Sequence, residues 1–166
     1  MNRWLPAYVG LGSNLEDPAR QVRLAVQSLR AAPWVHSLQC SKLYGSIPLG
    51  AGAQPDYCNA VVAFLTPLGA EELLSRLREV ENSMGREPAR ERWAPRRIDL
   101  DLLCLAEERR VTPGLTLPHA GIVHRNFVLY PLAELAPDLW LPGMGRVATL
   151  AGGVAREGVW LMGTVE

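Results

Sequence analysis

The sequence predicts an α+β fold in which one antiparallel sheet has helices packed on it. Three observations carry this. Strand-like and helix-like stretches follow the order β-α-β-β-α-β before a helix-rich tail, which is a ferredoxin-like arrangement. The strand stretches place alternate residues on one face, and the helical ones space their apolar residues three and four apart. At 166 residues and 48% hydrophobic composition, the chain suits one domain that buries roughly 70% of its unfolded surface. Residues 1–166 contain no repeat, low-complexity segment or dividing linker, so a single domain is expected.

Pro6 to Leu11 is short and apolar and reads as an opening strand. Gly10-Leu11-Gly12-Ser13-Asn14 is then expected to turn into a helix, since the third glycine and the acidic partner of a dinucleotide fingerprint are missing. Asp17-Pro18 supplies an N-cap and a proline at the first helical position. Val22, Val26 and Leu29 mark one face of a helix to Arg30, and Val35 to Tyr44 reads as a second strand. Leu43 to Pro55 has no formal charge, is rich in Gly and Pro, and is long enough to expect a functional loop. In the strand Tyr57 to Thr66, the residues Tyr57, Asn59, Val61, Ala63 and Leu65 share a face. An aromatic ring beside a carboxamide donor and acceptor suits a flat heterocycle.

Glu71 to Met84 reads as a helix with Leu73, Leu74, Leu77, Val80 and Met84 inward and Gly85 as its stop. Glu81 stands at the unfavourable end of that helix dipole, which solvent or a functional partner would explain. An arginine-rich loop, Arg86 to Arg97, leads into a strand reaching about Leu105. Glu107 to Arg110 turns, Thr116 to His119 is extended, and His124 to Leu135 is helical with a bend at Pro131. The tail holds a turn at Gly143 to Gly145, a short helix near Val147 to Leu150 and a last strand at Gly158 to Met162.

Lys+Arg and Asp+Glu both total 17, which argues against the broadly basic footprint of a nucleic-acid or membrane-surface protein. Cys40, Cys58 and Cys104 lack metal-ligand spacing and read as reduced core thiols. The first residues lack a signal-peptide pattern and no apolar run approaches a membrane span. A soluble, cytoplasmic protein is expected.

The chemistry centres on Arg92-Trp93-Ala94-Pro95-Arg96-Arg97-Ile98-Asp99-Leu100-Asp101. Asp is disfavoured in strands, so two in an apolar run need a reason. Their Cα atoms would lie about 6–7 Å apart on one face, close enough for both to reach a pair of hard cations about 4 Å apart. A wet surface face is the plainer account. Arg86, Arg90, Arg92, Arg96 and Arg97, opposed only by Glu87 and Glu91, favour metal plus guanidinium, the combination that a polyphosphate needs. No P-loop or protein-kinase signature is present. A metal-dependent transfer from a nucleotide fits, with Asp99 and Asp101 as Mg²⁺ ligands and the arginine loop as phosphate clamp.

With these residues in view, the sequence resembles the 6-hydroxymethyl-7,8-dihydropterin pyrophosphokinases of folate biosynthesis. The resemblance runs through Val9 to Leu15, Ser46 to Gly50, Gln54 to Ala60, Glu81 to Arg86, Arg92 to Asp101, Leu117-Pro118-His119 and Arg125 to Pro137. The Arg-Trp-x-Pro-Arg-x-x-Asp-Leu-Asp and Asp-Tyr-x-Asn-Ala segments are the specific ones. The resemblance implies transfer of the β,γ-diphosphoryl group of ATP to the pterin hydroxymethyl oxygen, releasing AMP. It implies two Mg²⁺ on Asp99 and Asp101, and catalytic roles for those two with Arg86 and Arg96. ATP would be bound by Glu81, Arg86, Arg96, Ile98, Thr116, His119 and Arg125. The pterin would lie between Tyr57 and Phe127, met by Ser46, Pro48, Leu49, Asn59 and Trp93. The expected partners are these two small molecules, with no nucleic acid or membrane, and the expected state is a monomer.

Two departures from the family pattern stand out: Ile47 where a second proline is frequent, and Ala120 to Val123 where a bulkier, more polar run is common. Two rival classes fit less well. A nucleotidyltransferase of the Gly-Ser…Asp-x-Asp type would hold both motifs on one hairpin, whereas almost the whole domain separates Gly12-Ser13 from Asp99. A nucleotide-binding regulator would keep the arginines but need no metal pair.

Overall fold

The computed structural model describes residues 3–50, 52–85 and 97–166. Its main sheet is antiparallel throughout, built from β1 (Leu5–Ser13), β2 (His36–Cys40), β3 (Leu43–Ser46), β4 (Tyr57–Thr66), β5 (Asp99–Leu105) and β10 (Val159–Gly163). The order is β10-β3-β4-β1-β5, with β2 also on β4. Counting β2 and β3 as one interrupted strand, this is the expected ferredoxin-like order, extended at one edge by β10.

On one face lie α1 (Pro18–Ala31) and α2 (Ala70–Ser83). α1 begins as its sequence dictates, with Asp17 accepting the Arg20 N–H at 3.3 Å ahead of Pro18. Val22, Ala25, Val26 and Leu29 pack against Ala7, Val9 and Leu11 of β1, Cys58, Ala60, Val62 and Phe64 of β4, and Leu73 and Leu77 of α2. The other face is covered over only part of its area. There a 3-10 turn (Ile122–His124), α3 (Asn126–Leu135) and α4 (Val147–Gly152) bury Val61 and Leu103 beneath Ile122, Leu129, Leu132 and Val147. Glu134 fastens α3 to the sheet by accepting the Lys42 N–H at 2.9 Å and the Tyr44 hydroxyl at 2.7 Å. Burial raises the Tyr44 phenol pKa, and the bond to Glu134 raises it further.

Several expectations change. Gly10 and Gly12 lie within β1 rather than in a turn, paired to β4 and β5 on either side. The strand expected at Val35 to Tyr44 is two strands. From Cys40 to Tyr44 the chain advances four residues while β4 advances three, Val62 to Asn59. The extra residue breaks the ladder, and the Ser41 hydroxyl fills the gap by accepting the Val61 N–H at 2.9 Å. The uncharged loop therefore starts after Ser46. A short hairpin, β6 (Arg110–Thr112) with β7 (Leu115–Leu117), replaces the lone extended piece and is followed by a cis Leu117–Pro118 bond. A second small hairpin joins β8 (Trp140–Leu141) to β9 (Gly145–Arg146). Among the described residues no helix is long and apolar enough to cross a membrane.

Candidate active site

The half of the sheet left open by α3 forms the floor of a cleft of about 300 Å³. Register places Gly10 beside Asp101 and Val61, and Gly12 beside Asp99 and Asn59. Two glycines on a central strand leave the carboxylates of β5 and the carboxamide of β4 with nothing between them. A Cβ at Gly12 would lie 3.4 Å from Asn59 Oδ1 and 3.8 Å from Tyr57 Cδ1, so any side chain there would fill the floor. Sequence reasoning missed this role, because Gly-x-Gly reads locally as a turn and its meaning comes from the neighbouring strands.

Asp99 is half-buried and Asp101 exposed, both on the cleft side of β5, while Leu100 and Leu102 are buried on the other side. Among the described residues no three His, Cys, Asp or Glu side chains come together to hold a metal ion. Two accessible carboxylates on one face nevertheless fit a hard cation that completes its shell with phosphate oxygens and water, as Mg²⁺ does.

Asn59 is only 4% exposed. Its amide nitrogen donates to the Tyr44 carbonyl at 3.1 Å and to Ser46 Oγ at 2.8 Å, leaving Oδ1 over Gly12. It therefore turns an acceptor toward Gly12, not the donor and acceptor expected of it. Tyr57, Ile47 and Leu49 line one side of the cleft and Phe127 and Arg125 another. Ser46 is buried and Pro48 half-buried, both behind that wall. Asn14 steadies the loop, donating to Gln54 Oε1 at 3.2 Å and to the Pro55 carbonyl at 3.3 Å.

A second cavity of about 450 Å³ adjoins the first. Glu81, Thr116, Arg78 and the β6–β7 hairpin line it, and Asp101 and His119 border both cavities. Glu81 is 2% exposed, so solvent does not explain its place at the end of α2. Its Oε1 accepts the Leu100 N–H at 2.7 Å, fixing the start of β5 between the two aspartates. The Ile98 side chain is fully buried in the α1–α2 core, so only its backbone can reach a nucleotide.

His119 is held by its backbone, which donates to the Leu103 carbonyl at 2.7 Å. Its Nδ1 accepts the Gly121 N–H at 3.0 Å. Burial lowers its pKa below the usual 6.5, the nearby Arg125 acts the same way, and Asp101 opposes them. A neutral ring with Nδ1 accepting carries its proton on Nε2, giving the site a hydrogen-bond donor. Arg97 donates to Glu16 at 2.7 Å and to the Met84 carbonyl at 3.4 Å, tying the start of the Asp-bearing segment to the end of α2. Arg86, Arg92, Trp93 and Arg96 lie outside the described residues. Burial pushes the thiols of Cys40 and Cys58 up to about 11 and that of Cys104 to about 12, consistent with inert core positions.

A paired-aspartate strand end, aromatic side chains beside it and a second cavity sharing the same carboxylate suit a transferase site with room for two substrates on a ferredoxin-like sheet. Residues 8–137 match the model of the 7,8-dihydro-6-hydroxymethylpterin-pyrophosphokinase family. The chain belongs to that family. It is 41% identical to the 2-amino-4-hydroxy-6-hydroxymethyldihydropteridine pyrophosphokinase of Pseudomonas aeruginosa, over 92% of this chain and 93% of that one. It is also 41% identical to the Haemophilus influenzae enzyme of the same name, over 88% and 91%. A crystal structure of Plasmodium falciparum HPPK-DHPS with pteroate aligns with TM-score 0.70 at 12% identity, covering 92% of this chain and 44% of that one. At such low identity this last likeness speaks for the fold alone.

Proposed function

We propose that this site transfers the β,γ-diphosphoryl group of ATP to the hydroxymethyl oxygen of 6-hydroxymethyl-7,8-dihydropterin, giving the pterin diphosphate and AMP, a step in folate biosynthesis. The observation that carries the reading is the position of Asp101 and His119 on the border between the two cavities. A phosphoryl group passing between two bound substrates must cross such a border. Asp99 and Asp101 would hold two Mg²⁺, which when bound neutralise triphosphate charge and polarise the transferred group.

The chain's own residues supply position and charge. The pterin lies in the slot between Tyr57 and Phe127, and Asn59 Oδ1 accepts a hydrogen from its polar edge. ATP occupies the cavity beside Glu81 and Thr116, with the Ile98 backbone near it. Arg86, Arg96 and Arg125 balance the polyphosphate charge, and the His119 Nε2–H donates to a phosphate oxygen. Trp93 would contribute to pterin binding. Holding two reactants in line converts a bimolecular step into an effectively unimolecular one, and fixed charges then stabilise the transition state. We take residues 1–166 as a single domain working as a cytoplasmic monomer.

Phosphorus NMR on the purified protein with ATP, Mg²⁺ and the hydroxymethyl pterin tests the reading. AMP together with a pterin diphosphate supports it. ADP would mean a one-phosphoryl kinase, and unconsumed but bound ATP would mean a regulator.

A further inference from the structure

Residues 153–163 lie beyond the stretch that the family model matches, yet they brace the wall of the pterin slot. β10 lies along β3 with Val159 opposite Ser46 and Trp160 opposite Gly45. Just before β10, the Gly158 carbonyl accepts the Ile47 N–H at 3.0 Å. Gly158 has φ +73°, and a Cβ there would stand 2.9 Å from Ile47 Cγ1 and Cδ1, so backbone and side chain meet without slack. On the opposite side, Asn126 Nδ2 donates to the carbonyls of Ala155 and Glu157, both at 2.9 Å. Asn126 is the first residue of α3 and the chain neighbour of Phe127, which lines the cleft together with Ile47.

These contacts close a ring. Starting at Phe127 it passes through Asn126, the 155–158 turn and Gly158 to Ile47, and Ile47 and Phe127 at its two ends both line the cleft as well as a smaller hollow beside the turn. We propose that Asn126, acting through the 155–158 turn, is a positioning residue that sets the spacing between Ile47 and Phe127 and so the fit of a planar heterocycle. The inference rests on the pterin reading of the slot. It assigns work to a side chain that touches no substrate and to a segment outside the family match.

The test is steady-state kinetics of AMP formation for Asn126→Ala, Asn126→Asp and Gly158→Ala beside the parent. Removing the two Asn126 donors should raise the pterin KM about 5- to 30-fold, equivalent to one or two ordinary hydrogen bonds, with ATP KM and kcat unchanged. Asn126→Asp is nearly isosteric but turns an acceptor on two carbonyls, so it should match or exceed the alanine variant. An acid in the first turn of α3 also suits the helix dipole, so its melting temperature should hold while pterin binding falls. Gly158→Ala should show the same selective loss. Combined with Asn126→Ala it should lose less than the sum, because both break one ring. A pterin KM within about twofold of the parent, an equal rise in both KM values, or loss of the native melt in both Asn126 variants would overturn the proposal. A parent protein that forms no AMP would instead overturn the pterin reading itself.

Discussion

Glu81 gives the sharpest test of how the metal-binding strand is held. Its carboxylate is 2% exposed and accepts the Leu100 N–H at 2.7 Å, between Asp99 and Asp101. A hydrogen bond to a charged group contributes about 1.5–3 kcal/mol, and an abandoned buried N–H costs about 1–3 kcal/mol. The two figures overlap, because both count the loss of the same bond. Adding a small void, Glu81→Ala should cost about 2–4 kcal/mol. At about 2–4 °C per kcal/mol for a chain of this size, the melting temperature should fall by about 4–16 °C. Glu81→Gln keeps an oxygen at the same reach, so the loss should be about 1 kcal/mol, or about 2–4 °C. Calorimetric melts of all three proteins at pH 7 decide it. If the alanine variant melted within about a degree of the parent, Glu81 would not be holding β5 and its burial would need another cause. If glutamine were as damaging as alanine, charge rather than an acceptor would be what β5 requires.

Asp101→Ala should lower kcat by about 10²-fold or more through loss of a charge-positioning ligand, while its exposed site leaves the melt unchanged; AMP formation at the parental rate would refute the metal assignment. Asn59→Ala should weaken pterin binding by about 1–3 kcal/mol, roughly 5- to 150-fold, because it removes the acceptor over Gly12 and frees Ser46. Calorimetric titration should show ATP affinity unmoved, and equal losses would make Asn59 merely structural. His119 adds a pH dependence, since burial holds its pKa below 6.5 against the opposing charge of Asp101, with a smaller push from Arg125. The unfolded chain takes up that proton more readily than the native state. Its contribution to stability is therefore full above pH 6.5 and is lost as pH falls through the lowered native value. Urea melts of metal-free protein should show His119→Gln with a flatter decline than the parent below that pH, and parallel declines would count against it.

What was legible in the sequence were features whose cause is local. Asp17-Pro18 fixes a helix start whatever lies around it. The alternation in Asp99-Leu100-Asp101-Leu102 sets two faces before any partner strand is known. For the same reason the aspartate pair, Tyr57 and Asn59 could be singled out, whereas Phe127 entered only through the resemblance to the family; the structure brings all of them to the cleft or its wall. What was not legible depends on residues far away in the chain. Glu81 stands out as an acid at the wrong end of its helix, but its bond to Leu100 is invisible until β5 packs on α2, and Ser41 looks like any strand residue until β4 supplies one residue too few.

The glycines of β1 show why a site can be half visible in this way. Gly10 and Gly12 have no side chain to signal a role, and their function is to place nothing between Asp101 and Val61 or between Asp99 and Asn59. Two carboxylates on a strand could equally be a wet surface. They become a site because the central strand beside them is bare on that face, α3 stops short of covering it, and Asn59 has its donors turned away toward Tyr44 and Ser46. The chemistry is carried by the residues that sequence patterns reveal, and the room for a substrate is carried by residues defined by what they lack. Filling that room separates the two contributions. A Cβ at Gly12 would touch Asn59 Oδ1 while leaving Asp99 and Asp101 in place, so it should exclude the heterocycle without disturbing the charges that face the phosphates.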